Sequence, residues 1–106
     1  MKMLVTGAGG MLAQAVVPAL ERAGHTVVPF THTALDVTDL ADMRRTVQFS
    51  KPDWVCHLAA YTNVDGCETE IERAFAVNGL GARNAAQAAY ESGAAILAVS
   101  TDYVFP

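Results

Sequence analysis

Four short apolar runs alternate along this chain with three longer segments of helical period, and that alternation constrains the fold more than any other feature. Lys2–Thr6 (KMLVT), Thr26–Phe30 (TVVPF), Asp53–Leu58 (DWVCHL) and Ala94–Ser100 (AAILAVS) read as strands. Met11–Ala23, a segment from Thr38 or Asp39 to about Ser50, and Glu68–Glu91 read as helices. Gly24 and Gly93 follow two of these helices as stops, and Lys51-Pro52 breaks the other. Pro18 should bend the first helix or leave one hydrogen bond open. Gly79 and Gly81 should bend or split the last. Pro29 argues for a position near a strand end.

The strands are continuous apolar runs rather than alternating ones, so helices are expected on both faces of the sheet. Parallel strands joined by right-handed helical crossovers follow. The expected architecture is α/β: a Rossmann-like doubly wound parallel sheet of strand order 3-2-1-4, ending after the fourth strand. One domain is the natural count for 106 residues, and no repeat, linker or low-complexity tract divides them. Nineteen alanines fit this picture, because small side chains let helices lie close on a sheet.

The strongest chemical signal is Thr6-Gly7-Ala8-Gly9-Gly10-Met11-Leu12-Ala13, which follows the first strand and opens the first helix. Spaced three apart, Gly7 would allow a tight turn, Gly10 would let the backbone approach a pyrophosphate, and Ala13 would let the helix pack on the sheet. The phosphates would sit at the positive end of the helix and accept amide N–H bonds. An acidic residue ~20 residues further on would hold the ribose 2′-hydroxyl of NAD. None lies between Glu21 and Asp36. Thr31, His32 and Thr33 offer donors to a 2′-phosphate instead, which leans the cofactor towards NADPH.

Composition removes other classes. A net charge of −4 with no basic run argues against a nucleic-acid partner. No apolar stretch approaches the ~18–20 residues of a membrane span. Cys56 and Cys67 make no metal spacing; without a secretion signal they read as free thiols in a reducing, cytoplasmic compartment. Cys56 reads as a small core residue beside His57, Cys67 as helix-start packing, and Arg44-Arg45 as a solvated helix face.

Longer strings carry a resemblance. Leu35-Asp36-Val37-Thr38-Asp39 is followed by Ala59-Ala60-Tyr61-Thr62-Asn63-Val64-Asp65, by Val77-Asn78 with Gly81, and by Ser100-Thr101-Asp102-Tyr103-Val104-Phe105. Together they resemble the dTDP-4-dehydrorhamnose reductase family within the extended short-chain dehydrogenases, over nearly the whole chain. The resemblance implies reduction of the 4-keto group of dTDP-4-dehydro-6-deoxy-L-mannose to dTDP-L-rhamnose, a polysaccharide precursor, with NADPH or NADH. It implies that Gly7, Gly10, Met11 and Leu12 line the pyrophosphate, and that Asp36 and Val37 contact adenine. Ala60, Tyr61 and Thr62 would cross the ribose and nicotinamide side, and Val99 would flank the nicotinamide. Thr101 would be the catalytic hydroxyl, with Asp102 beside the substrate and Asn78 in support. Hydride transfer to a ketone needs a proton donor and a group that holds the developing alkoxide, and these residue types suit it.

The family's Tyr-x-x-x-Lys pair is not in these residues: Tyr61, Tyr90 and Tyr103 have no lysine four positions on, and Lys2 and Lys51 are the only lysines. In the family that pair lies beyond the Ser100–Phe105 string, and the chain stops at Pro106. The chain is therefore expected to be the N-terminal part of a longer enzyme, without its sugar-nucleotide lobe and inactive alone. In many relatives a homodimer forms through helices that would follow. Two other readings stand beside the reductase. One is a nucleotide-sugar epimerase or dehydratase of the same superfamily. The other is a non-catalytic NADP-binding regulator such as the β subunit of methionine adenosyltransferase.

Overall fold

The computed structural model describes residues 1–59 and 68–98, with residues 68–77 described by backbone alone. The elements run β1 (Lys2–Thr6), α1 (Met11–Arg22), β2 (Thr26–Phe30), α2 (Leu40–Ser50), β3 (Trp54–His57), α3 (Glu68–Ser92) and β4 (Ala95–Ala98). All four strands are parallel, as expected, but their order is β2-β1-β3-β4 rather than 3-2-1-4. Among the described residues β2 is thus an edge strand, and β3 lies on the far side of β1.

Pro29 gives the physical reason. The Phe30 carbonyl accepts from Ala8 N–H, so residue 30 faces β1 and Pro29 faces the opposite side. On an edge that side needs no donor. Inside the sheet, the missing N–H would leave a gap in the ladder.

Strand order and helix placement are tied by crossover hand. The step from β1 to β2 runs one way across the sheet; the steps to β3 and β4 run the other way. A constant hand then puts the first helix on one face and the next two on the other. Two separate cores show that division. Met3, Val5 and Cys56 pack with Val17 and Leu20 of α1. Leu4 and Val55, on the opposite face, pack with Met43 and Val47 of α2 and Ala85, Ala88 and Ala89 of α3. Each helix set repeats at three or four residues, which makes one stripe.

Local chemistry sets the helix ends. Asp39 caps α2, accepting from the amides of Ala41 and Asp42. At the end of α1, His25 N–H reaches Leu20 O and Gly24 N–H reaches Glu21 O. Ala94 and Gly93 close α3 in the same way on Ala89 and Tyr90. Pro18 lies within an uninterrupted α1, and α3 also runs unbroken through Gly79 and Gly81. Gly81 remains in helix because it is buried against Val37 and His57, where tertiary packing outweighs its weak propensity. Arg44 does more than face solvent: its guanidinium makes two 2.8 Å bonds to Glu91 and ties α2 to α3. The guanidinium, with Gln87, holds the Glu91 carboxyl below its usual range. The expectation that both sheet faces are covered fails at β4, whose four residues are all exposed.

The two α3 glycines are predicted to answer differently to alanine. Among the described residues a methyl at Gly79 meets nothing within 4 Å, whereas one at Gly81 would lie 3.0 Å from Val37 Cγ2. Gly79→Ala should raise unfolding stability by about 0.5–1 kcal/mol through helix propensity. Gly81→Ala should gain less or lose. Urea unfolding of the two variants checks this, and equal gains would contradict the packing described.

Candidate functional site

Strands β1 and β3 are neighbours, and the helices that come next in the chain after each lie on opposite faces of the sheet, α1 on one and α3 on the other. Such a switch point opens a crevice at the carboxyl ends of the strands. The glycine turn sits there. Gly7 has φ +69, a region that favours glycine. A Cβ on it would lie 2.7 Å from the Ala59 backbone, so a side chain would push β1 and β3 apart. Gly10 N–H then closes the turn on Gly7 O at 3.0 Å, and Gly10 becomes the N-cap of α1.

That cap contributes no side chain, and the first turn of α1 holds no acidic residue. Among the described residues no side chain takes the opening amides of α1, which are left for a ligand or water, with the helix dipole favouring an anion. Met11 and Leu12 are exposed at this end, while Ala13 is buried as its proposed packing role requires. The structure therefore brings Gly7, Gly10, Met11 and Leu12 to one place.

Thr6 and His57, a cross-strand pair, anchor the crevice floor and were not anticipated as partners. Both are buried. Thr6 Oγ1 accepts from the amides of Leu58 and Ala59, each at 3.2 Å. With both lone pairs engaged, its proton goes to His57 Nδ1, 2.9 Å away. The ring is then neutral with its hydrogen on Nε2. Burial acts in the same direction, lowering the His57 pKa. The available signal was two polar residues ending two apolar runs at the same edge of a parallel sheet. Cys56, one position before, points into the α1 core, and burial pushes its thiol up.

The segment between β2 and α2 begins beside the turn, with Thr31 Cγ2 3.7 Å from the position of a Gly9 Cβ. Thr31 and Thr33 share a hydrogen bond of 3.0 Å between their hydroxyls. Asp36 Oδ1 accepts from Thr38 N and Thr38 Oγ1, and Asp36 N–H donates to Asp42 Oδ2. The Val37 carbonyl accepts from Asn84 Nδ2 of α3 at 2.9 Å. Ala60, Tyr61, Thr62, Cys67, Val99, Thr101 and Asp102 lie outside the described residues.

A parallel sheet whose central strands pack helices on both faces, with a glycine turn at its switch point, defines a Rossmann-like α/β protein. The sequence profile of the family described as RmlD substrate binding domain matches residues 1–106. The chain belongs to that family. A dTDP-4-dehydrorhamnose reductase from Streptomyces griseus is 48% identical over 103 residues, 97% of this chain and 34% of its own. A crystal structure of a dTDP-4-dehydrorhamnose reductase from Clostridium acetobutylicum superposes with TM-score 0.89 at 39% identity, covering 99% of this chain and 38% of that one. Another, from Bacillus anthracis in complex with NADP, gives TM-score 0.87 at 38% identity, over 98% and 37%. The chain thus spans about a third of the length of the curated relative from Streptomyces griseus.

The neutral His57 makes stability depend on pH. Its pKa is lowered on folding from the ordinary 6.5, so the unfolded chain binds the extra proton first. The stabilisation is complete above that value and drains away as pH falls through the lower folded value. His57→Asn, which keeps an acceptor near the Nδ1 position, should flatten that acid-side loss. Urea midpoints between pH 7.5 and pH 5, about the span of the histidine titration, test this. Parallel curves for the two proteins would contradict it.

Proposed function

We propose that the protein carrying this chain is an NAD(P)H-dependent, cytoplasmic dTDP-4-dehydrorhamnose reductase, and that residues 1–106 are its cofactor-binding portion. The glycine turn seated against Ala59 at the switch point carries this reading, together with the relatives named above. The residues fit a dinucleotide: Gly7 and Gly10 bring bare backbone to the crevice, and no carboxylate in the first turn of α1 opposes a pyrophosphate. Asp36 and Val37 would face adenine. The absence of an acid between Glu21 and Asp36, with Thr31, His32 and Thr33 in its place, favours NADPH.

Reduction adds hydride to the carbonyl carbon and a proton to its oxygen. When bound, the cofactor supplies the hydride. Ala60, Tyr61, Thr62 and Val99 would hold its ribose and nicotinamide. The Thr101 hydroxyl would donate to the substrate carbonyl oxygen and hold the developing charge, with Asp102 beside the sugar. The proton would come from a tyrosine whose pKa is lowered by a lysine four residues on, a pair outside these 106 residues. Residues 1–106 alone would accordingly bind cofactor without turnover.

The test is NADPH oxidation by the whole protein with dTDP-4-dehydrorhamnose, followed at the nicotinamide absorbance. Turnover is expected, and Thr101→Val should lower kcat by roughly 10²-fold, the scale of one lost oxyanion donor. Turnover with a UDP-sugar and none with the dTDP-ketone would overturn the substrate assignment.

A further inference from the structure

The segment after β2 is held from two directions, and one of them is α3. Asn84 is buried, and its amide donates to the Val37 carbonyl at 2.9 Å. One turn earlier on the same face, Gly81 is so close to Val37 that a Cβ would come within 3.0 Å of Val37 Cγ2. The same absent Cβ would lie 3.5 Å from the His57 ring, whose Nδ1 is bonded to Thr6 at the root of the glycine turn. Asn84 pulls the Val37 backbone towards α3, and Gly81 sets how near it comes. α3 itself is pinned to the sheet by Ala85, Ala88 and Ala89 in the core.

We propose that Asn84 and Gly81 are positioning residues for the adenine end of the cofactor site. They touch neither cofactor nor substrate. Through Val37 they set where the Asp36-Val37 segment stands relative to the glycine turn, and so the span across which a dinucleotide must lie. This rests on the dinucleotide reading above, in which Asp36 and Val37 face adenine. A helix on the far side of the sheet from α1 thereby tunes a site built on α1 and β2. The other brace on the segment, Asp42 to the Asp36 amide, comes from α2 and leaves the Val37 carbonyl to α3.

The experiment compares two halves of the cofactor on the whole protein. Dissociation constants are measured for NADPH, for 2′,5′-ADP, which carries only the adenine end, and for reduced nicotinamide mononucleotide, which lacks it. Asn84→Leu, similar in volume and without the donor, should weaken NADPH and 2′,5′-ADP by roughly five- to ten-fold, the scale of one lost buried hydrogen bond. Binding of the mononucleotide should not change. Gly81→Ala keeps the Asn84 bond but crowds Val37, and should show a smaller loss confined to the same two ligands. It also serves as the probe if Asn84→Leu does not fold. Equal losses for both halves, or none in a folded variant, would overturn the proposal. Failure of the unsubstituted protein to bind NADPH would instead overturn the dinucleotide reading.

Discussion

The turn after β1 and the end of β3 meet with no room for a methyl group. That clearance decides how closely the two central strands stay paired at their carboxyl ends, because a Cβ on Gly7 would strike backbone rather than a movable side chain. Thr6 reinforces the contact from beneath, spending its whole hydrogen-bonding capacity on Leu58, Ala59 and His57. The direction in which α1 leaves the sheet, and the bare amides at its start, depend on this junction. An apolar residue at Thr6 would strand the His57 ring nitrogen in a buried place, where that is costly, and would leave the half-buried amides of Leu58 and Ala59 without their acceptor.

The rest of the architecture follows from one sheet read in two directions. The chain steps to β2 under α1, then reverses and crosses back with α2 and α3 on the other face. Reversal creates the crevice, and the shared face lets α2 and α3 brace one another through Arg44 and Glu91. The surface between those helix ends, lined by Val47, Gln48, Lys51, Pro52, Glu91 and Ser92, is an open depression.

Most elements were legible in the sequence because their signals are local. β1 and β2 match the apolar runs residue for residue, and Asp39, Gly24 and Gly93 mark helix ends by chemistry confined to a few positions. Strand order departs from the expected 3-2-1-4 because pairing is long-range, although Pro29 holds the clue: a residue without an N–H suits an outward-facing edge position. The helix from Glu68 is legible too, but the split expected at its glycines does not occur, because Gly81 is retained by contacts with Val37 and His57, which no helical propensity contains. In the site, the backbone roles of Gly7 and Ala13 could be read from the turn pattern. The Thr6–His57 pair and the Asn84–Val37 bond could not, since each joins residues about fifty positions apart.

The central claim is that a dinucleotide lies on the glycine turn at the β1/β3 switch point. Amide chemical-shift mapping of the protein during titration with NADPH tests it most directly. The account predicts the largest saturable shifts at Gly7, Gly10, Met11 and Leu12, with a second group at Asp36 and Val37. Shifts confined to the α2–α3 surface around Val47 and Ser92, or none at the turn under saturating NADPH, would contradict it.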